Sequence, residues 1–410
     1  MVNKFQTKYR FPDQPYMAIR AGDIDGHWEA VEEYFKRDDV PDNIFVVDFT
    51  KPPRRSHTDP AYFVVKQMLG RAGYLSQFIN FNVVDHASGN DRRSNTILQG
   101  TSRQILSKCG VRVWWVDIPK SVPLPAIFVG VDCFHTPRKY NPKERRRVGK
   151  ESCAGVVVQL IRKIDGQELP TIELYSLTER REAGKEMDLS SIVGRAMSEA
   201  LQHFQVSPMS CIVWRDGVGD AGIQQVAETE IPAVRTALET LSLEDKNGQT
   251  IVGGNNHPNG ECPLAYIVCQ KRISTKFLST DGKLGMPPGA MISDLHSYEH
   301  DAFYLNGTSP PYSTPKAVRF IIAHKDKELN DVSMSGLSWA FCHDYPNWTG
   351  KFQASVIYAH SVLFFDFLSP CILLLLLTKL LKSLILLMLN LILCSPLSFS
   401  FILLFTTNIF

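Results

Sequence analysis

Two aspartates stand where apolar segments end, and their side chains are well suited to bind a divalent cation. Asp132 closes the segment AIFVGVD at 126–132, and Asp216 follows the segment CIVWR at 211–215. If both segments are strands of an α/β sheet, both carboxylates lie at strand ends, where such folds place their chemistry. Carboxylate oxygens suit Mg²⁺ or Mn²⁺, and a pair of such ions can activate water against a phosphodiester. The alternative is that both residues are caps or turn residues.

The segments around these aspartates alternate as in an α/β fold. Their patterns predict strands at 126–132, 154–161, 172–177 and 211–214, with helices at 190–204 and 221–241. An earlier block predicts strands at 43–48, 78–84 and 111–116, with helices at 60–70 and 96–109. Because strands alternate with helices, we expect a parallel sheet in that earlier block. A proline-rich linker at 119–125 separates the two blocks.

Bulk composition restricts the possible functions only weakly. A chain of 410 residues is long enough for two or three domains. A net charge of +2 gives no sign of nucleic-acid binding, so any basic surface must be local. The basic run at 138–150 is either a solvated loop or a contact for a phosphate backbone. Nine cysteines without zinc-type spacing predict reduced thiols, and we expect the protein in the cytoplasm or the nucleus.

The last residues of the chain, 366–410, are rich in leucine and almost free of charge. Residues 371–393 are long enough to cross a bilayer, which favours a membrane anchor. Lys379 and Lys382 lie within that segment, and each would cost about 2.5–3.5 kcal/mol at the centre of a membrane span. The other interpretation is that this tail is not native coding sequence. We favour it because the composition changes abruptly where the tail begins, and we expect no membrane partner.

Six motifs occur in the order typical of the argonaute/PIWI family, and the chain resembles that family over most of its length. They are GVDCFH (130–135), IVWRDGVGD (212–220), CQKRISTKF (269–277), PPGAMISD (287–294), LSWAFCHDYPNWTG (337–350) and VIYAHSVLFF (356–365). The RDGVGD and NW-G words are closer to the PIWI branch. The resemblance implies an α/β fold with a Rossmann-like MID domain at 1–120 and an RNase H-like PIWI domain at 126–365.

The resemblance also implies a nuclease site of four residues around Mg²⁺ or Mn²⁺. Asp132 and Asp216 match its first and third members, and His360 of the YAH motif matches the fourth. These three are the expected metal ligands. Glu186 in GKEMD matches the glutamate of the site, with Glu182 as the alternative. The charged stretch around these glutamates could equally be a solvated loop.

Other residues of the matched motifs are assigned supporting roles. Lys271 and Arg272 of the QKR word are expected to touch the backbone of a guide strand, which positions the strand without reading its sequence. Asp220 and Asp294 are carboxylates near the site, and we expect each either to be structural or to support the residues of the site.

The front of the chain resembles the family's MID domain. Tyr62 and Lys66 stand at i and i+4, so on a helix they share one face. The resemblance implies that Tyr62, Lys66, Gln77 and Lys108 bind the 5′ phosphate of a guide and that the tyrosine stacks on its first base. A further family lysine is Gln104 here, which would weaken this pocket.

The function implied is small-RNA-guided binding and Mg²⁺-dependent endonucleolytic cleavage of complementary RNA in gene silencing. The expected partners are a small guide RNA, a complementary target RNA and proteins of a silencing complex. One alternative is a guide-binding module that does not cut, and another is a membrane-anchored protein. We recognise no PAZ-like region, so we expect that a partner holds the guide's 3′ end or that the sequence is a fragment.

Overall fold

The structure is a computed structural model in which the strands and helices of two units are defined. It describes residues 16–21, 44–50, 69, 75–80, 92–108, 114, 116–135, 139–141, 146–148, 151–163, 170–182, 188–244, 250–252, 261–278, 280, 285–293, 300–307, 316–344 and 400–406. The first unit comprises Met1–Trp114, Pro346–Trp348 and Phe367–Phe410, and the second comprises Trp115–Tyr345 and Thr349–Asp366.

The regular elements of the described residues are numbered in chain order. The strands are β1 (Tyr16–Ala21), β2 (Ile44–Thr50), β3 (Leu75–Asn80), β4 (Ala126–His135), β5 (Lys139–Asn141), β6 (Arg146–Val148), β7 (Glu151–Arg162), β8 (Thr171–Glu182), β9 (Ser210–Asp216), β10 (Ser242–Glu244), β11 (Thr250–Val252), β12 (Leu264–Gln270), β13 (Met291–Ser293), β14 (Ala302–Leu305), β15 (Val318–Lys325) and β16 (Ser400–Thr406). The helices are α1 (Arg92–Lys108), α2 (Ser190–Phe204), α3 (Ile223–Glu239) and α4 (Met334–Phe341).

The sheet of the first unit differs from the parallel sheet expected for it. Its order is β1-β16-β2-β3, and only β2 and β3 run parallel. Strand β16 comes from the leucine-rich tail and lies antiparallel between β1 and β2. A pairing partner so distant in sequence leaves no local pattern, so the expectation of an all-parallel sheet was wrong.

Local predictions in the first unit had mixed outcomes. Helix α1 confirms the helix expected at 96–109, and strand β3 lies three residues earlier than the strand expected to begin at residue 78. The strand expected at 111–116 is wrong at Trp114 and Val116, which lie outside any strand. A short apolar run of this kind does not distinguish a strand from a partly buried connection. The helix expected at 60–70 lies outside the described residues, apart from the helical Leu69.

The second unit is built on a mixed sheet of eight strands. Its order is β13-β14-β15-β12-β9-β4-β7-β8, and β4, β9 and β12 form its parallel centre. Every residue of β9 is buried, as expected for a central strand covered on both faces. The strands expected at 126–132, 154–161, 172–177 and 211–214 are confirmed within β4, β7, β8 and β9.

Alternating side chains of the central strands enter two separate cores. Val129 and Val131 of β4 pack in the core that contains α2 and α3. Phe128 points the other way and packs with Trp214 and with Phe341 of α4. One face of the sheet is covered by the long helices α2 and α3 and is called the helix-covered face. The short helix α4 packs on the opposite face. No helix in the described part of the chain is both long and apolar enough to cross a membrane.

Gly289 of the PPG word lies against Trp339 of α4. Its φ of +82° is in the left-handed region that favours glycine, and its N–H donates to the carbonyl of Asn306 at 2.8 Å. A Cβ added at this position would lie 2.8 Å from Cζ2 of Trp339. Two of the matched motifs are thus packed against each other through a contact that only glycine permits.

We expect Gly289→Ala to lower the free energy of unfolding by about 1–3 kcal/mol, because the added methyl group clashes with Trp339 and the backbone is strained. Thermal unfolding followed by tryptophan fluorescence measures the change. Gly219→Ala is the matched control, since a Cβ there meets nothing within 4 Å, and its effect should stay within about 0.5 kcal/mol. Equal stability of the two variants would contradict the packing of Trp339 on Gly289.

Candidate active site

The two aspartates singled out by the sequence lie side by side at one end of the parallel strands. Strands β4 and β9 are in register up to the pair Val131 and Arg215, so the next step of each strand aligns Asp132 with Asp216. Neighbouring strands are separated by roughly 4.8 Å. Both residues are buried, with exposed fractions of 5% and 8%. By strand alternation both carboxylates enter the face opposite α2 and α3.

A lysine that directly follows the third parallel strand joins this pair. Cys269 of β12 is the register partner of Asp216, and Lys271 follows two residues later. The Nζ atom of Lys271 lies 2.5 Å from Oδ2 of Asp216. Asp132 Oδ1 meanwhile accepts a hydrogen bond of 2.7 Å from the backbone N–H of Cys133. The row therefore brings two carboxylates and one ammonium group together.

The charges in this row influence one another. Burial raises the pKa of Asp216, the ammonium of Lys271 opposes that rise, and the carboxylate of Asp132 adds to it. Burial alone would lower the pKa of Lys271, but Asp216 and Asp132 hold it above its usual value. The two carboxylates thus create a site that favours positive charge.

The chain turns sharply directly after Asp216. Gly217 has a φ of +86°, and its N–H donates to the carbonyl of Cys269 at 3.3 Å. The carbonyl of Asp216 itself accepts a hydrogen bond of 2.5 Å from Nη1 of Arg215. These contacts fix the peptide unit that directly follows the aspartate.

Arg215 points to the helix-covered face and forms a buried ion pair with Glu230 of α3. Its Nε lies 3.1 Å from Glu230 Oε2, and the side chains are 2% and 0% exposed. The hydroxyl of Tyr266 in β12 donates to the same oxygen at 2.5 Å, and the N–H of Leu189 reaches Oε1 at 3.4 Å. Glu230 therefore connects β9, β12, α3 and the residue that precedes α2.

The protonation states suit this buried network. Burial would lower the pKa of Arg215, but Glu230 holds it above its usual value. Burial raises the pKa of Tyr266, and Glu230 raises it further, so the phenol stays neutral and donates its proton. Our sequence analysis missed Glu230. A signal was present, because this glutamate interrupts a buried stripe of α3 between Val226 and Val234.

Asp220 anchors the loop that follows Asp216. Its Oδ1 accepts hydrogen bonds from Nε2 of Gln270 at 2.8 Å and from Nη1 of Arg319 at 2.9 Å. The amide of Gln270 also donates to the carbonyl of Val218 at 3.1 Å. These contacts agree with the structural or supporting role expected of Asp220. Asp294, which had the same expectation, lies outside the described residues.

Several other residues that the sequence predicts at a site lie outside the described residues. Four lie outside the described residues altogether: Tyr62, Lys66, Glu186 and His360. Lys108 and the alternative Glu182 belong to α1 and β8, but their side chains are not described. Arg272 is exposed beside Lys271.

Gln77 links β3 to α1 within the first unit. It is buried, and its Nε2 donates to the carbonyl of Phe78 at 3.0 Å and to Oε1 of Gln104 at 3.2 Å. No donor among the described residues reaches its buried Oε1. The two glutamines that our sequence analysis connected with a phosphate pocket are therefore in direct contact.

The donor set fits a hard divalent cation. Asp132 and Asp216 offer carboxylate oxygens, which Mg²⁺ and Mn²⁺ prefer. The ammonium group held at Asp216 is itself a cation at this point. No group of three or more histidine, cysteine, aspartate or glutamate side chains that could hold a metal ion occurs within the described ranges. Asp132 and Asp216 are a pair of described carboxylates that the register of β4 and β9 places side by side for such an ion.

Four buried cysteines have a structural role. Cys211, Cys262, Cys269 and Cys342 are buried free thiols, and burial raises the pKa of each. Because a thiolate is the reactive form, these four groups are poor nucleophiles. This agrees with the reduced thiols expected from the sequence.

Comparison with known sequences identifies related proteins. The Piwi domain family matches residues 53–365. A Piwi-like protein 1 from Gallus gallus is 24% identical over 366 residues, which cover 86% of this chain and 38% of that protein. Piwi-like protein 3 from Homo sapiens is 27% identical over 279 residues, covering 66% of this chain and 27% of that protein. The chain thus spans well under half the length of these relatives.

Solved structures share the fold. The crystal structure of Drosophila Piwi matches with a TM-score of 0.57 and 19% identity, covering 83% of this chain and 40% of that one. The Kluyveromyces polysporus Argonaute, crystallised with a guide RNA, matches with a TM-score of 0.52 and 16% identity over 80% of this chain and 36% of its own. With the mixed eight-stranded sheet, these similarities support the α/β, RNase H-like fold.

We expect Glu230→Gln to destabilise the protein by about 3–5 kcal/mol, because the variant leaves the guanidinium of Arg215 buried without a compensating charge. Chemical unfolding measures the change. Glu228→Gln is the matched control, since Glu228 is exposed on the same helix, and its effect should stay within about 0.5 kcal/mol. A loss in Glu230→Gln no larger than in this control would contradict the buried ion pair.

Proposed function

Since this chain belongs to the argonaute/PIWI family, we propose that it binds a small guide RNA and cuts an RNA that pairs with the guide. The reaction is endonucleolytic, needs Mg²⁺ or Mn²⁺, and serves gene silencing. The observation that carries the proposal is the alignment of Asp132 and Asp216 on one face at the end of β4 and β9.

Asp132 and Asp216 would hold the divalent cation. A cation bound there would supply the charge that activates water and stabilises the leaving oxygen of a phosphodiester. Burial of both carboxylates limits competition from water for their oxygens. The turn at Gly217 and the hydrogen bond from Arg215 to the carbonyl of Asp216 keep this carboxylate in place. Fixed geometry matters, because a displacement near 1 Å can cost about a hundredfold in rate.

We assign two further residues of the matched motifs to this site. His360 of the YAH word serves as a third ligand or positions the attacking water. Glu186 completes the group of four from the stretch that precedes α2. The backbone N–H of Leu189 is hydrogen-bonded to Glu230, so the buried network reaches a point three residues from Glu186.

A guide strand would be held by two groups of residues. Tyr62, Lys66, Gln77 and Lys108 bind its 5′ phosphate, with the tyrosine stacked on the first base. Arg272, which is exposed, contacts the guide backbone and carries no sequence information. Pairing between guide and target therefore selects the RNA to be cut. Other silencing-complex proteins assist in the cytoplasm or the nucleus.

Cleavage by the full chain tests the proposal directly. The protein is loaded with a 5′-phosphorylated guide RNA and given a labelled complementary RNA with Mg²⁺. We expect a single cut opposite the guide, and we expect Asp216→Asn to slow it by at least about a hundredfold, because the variant removes a carboxylate charge that would hold the cation at the reacting phosphodiester. Guide binding should weaken when the 5′ phosphate is replaced by a hydroxyl group.

Asp301→Asn is the control for loss of a carboxylate, because Asp301 is exposed in the same unit and belongs to none of the matched groups. It should cut at the rate of the unaltered protein. If the protein binds the guide tightly, needs the 5′ phosphate to do so and does not cut the target, then it is not a nuclease. It would then be a guide-binding module. A cut that persists in Asp216→Asn would contradict the assignment of the site.

A further inference from the structure

Lys271 contacts Asp216 rather than standing free for a nucleic acid. Its Nζ lies 2.5 Å from Asp216 Oδ2, and Asp132 is near enough to raise the pKa of both groups. Two carboxylates placed on adjacent strands repel each other unless a positive charge lies close to them. In the protein without a divalent cation, the ammonium of Lys271 provides that charge.

A divalent cation bound by both aspartates would lie at the same carboxylate group of Asp216 that Lys271 now contacts. An ammonium group and a divalent cation also repel each other at such short range. Binding of the cation and the present position of Lys271 therefore oppose each other. Because Lys271 is a flexible side chain that is 26% exposed, it has a path out of the site.

The second cation near Asp216 behaves differently. Arg215 is only 2% exposed and is locked to Glu230 on the opposite face of the sheet. Its guanidinium cannot leave without exposing a buried carboxylate. Of these two positive side chains, Lys271 is therefore the one that can leave its carboxylate and be replaced by another cation.

We propose that Lys271 is an exchangeable counter-ion of the Asp132–Asp216 pair. It neutralises the pair in the cation-free protein and is displaced when a divalent cation binds. The displaced ammonium then meets a phosphate of the bound nucleic acid, so nucleic acid and cation bind cooperatively. The inference rests on the proposed metal site and adds to it a coupling between the loading of RNA and the loading of the cation.

This coupling has a thermodynamic consequence. A phosphate that draws Lys271 away from Asp216 removes the competitor of the cation. The affinity of the protein for the cation must then rise by the same factor as its affinity for RNA rises when the cation is bound. A protein without RNA would accordingly hold its cation weakly.

The test measures Mn²⁺ binding to the full chain by the electron paramagnetic resonance signal of free Mn²⁺. Without nucleic acid, we expect Lys271→Met to bind Mn²⁺ at least about tenfold more tightly than the unaltered protein, because the competing charge is gone. A guide–target RNA pair should tighten Mn²⁺ binding in the unaltered protein, and much less in Lys271→Met. Asp132→Asn identifies the site, since it should abolish the tight binding.

Two further variants keep the result interpretable. Lys276→Met removes the same charge from an exposed position of the same segment, and its Mn²⁺ affinity should change by less than about twofold because salt screens that charge. Lys271→Arg retains the positive charge and should keep the weak binding of the unaltered protein.

The outcomes separate this inference from the metal site itself. If the unaltered protein binds Mn²⁺ in an Asp132-dependent manner and Lys271→Met binds it equally or more weakly, the exchange is overturned and the metal site stands. If no form of the protein binds Mn²⁺ in an Asp132-dependent manner, the metal site and the exchange are both overturned. Tighter binding in Lys271→Arg as well as in Lys271→Met would show that charge is not the cause.

Discussion

Consecutive residues of a strand point to opposite faces of a sheet, and the candidate site depends on this alternation at Arg215 and Asp216. Arg215 enters the helix-covered face and is fixed there by Glu230. Asp216 must then enter the other face, where the register of β4 and β9 aligns it with Asp132. A shift of β9 by one residue would put an arginine where the carboxylate stands, so the buried ion pair protects the register of the site.

The two faces use paired charges for different purposes. Arg215 and Glu230 are almost completely buried, and Tyr266 satisfies a further lone pair of the glutamate, so this pair acts as a permanent connection. Such a pair adds less to stability than its geometry suggests, because desolvation opposes the attraction, but it is costly to break. Asp216 and Lys271 are closer to solvent, and there the ammonium can give way to another cation. A fixed pair thus supports an exchangeable one.

The sequence allowed the two aspartates to be found, because apolar strands that end in a carboxylate are a local pattern. Other parts of the structure depend on partners far away in the chain. Glu230 resembles an ordinary helical glutamate until α3 is placed over β9, and Lys271 resembles a basic loop residue until β12 is placed beside Asp216. Strand β16 is the extreme case, since its partners β1 and β2 precede it by more than 300 residues.

The proposed nuclease depends on Asp132 and Asp216 forming one divalent-cation site. Anomalous diffraction from Mn²⁺ would locate the cation in crystals of the protein bound to a guide and a target with a non-cleavable linkage. We expect an anomalous peak in contact with both carboxylates, with Lys271 moved away from Asp216, and loss of the peak in Asp216→Asn. Manganese bound elsewhere, with Lys271 still paired to Asp216, would show that the two aspartates do not form such a site.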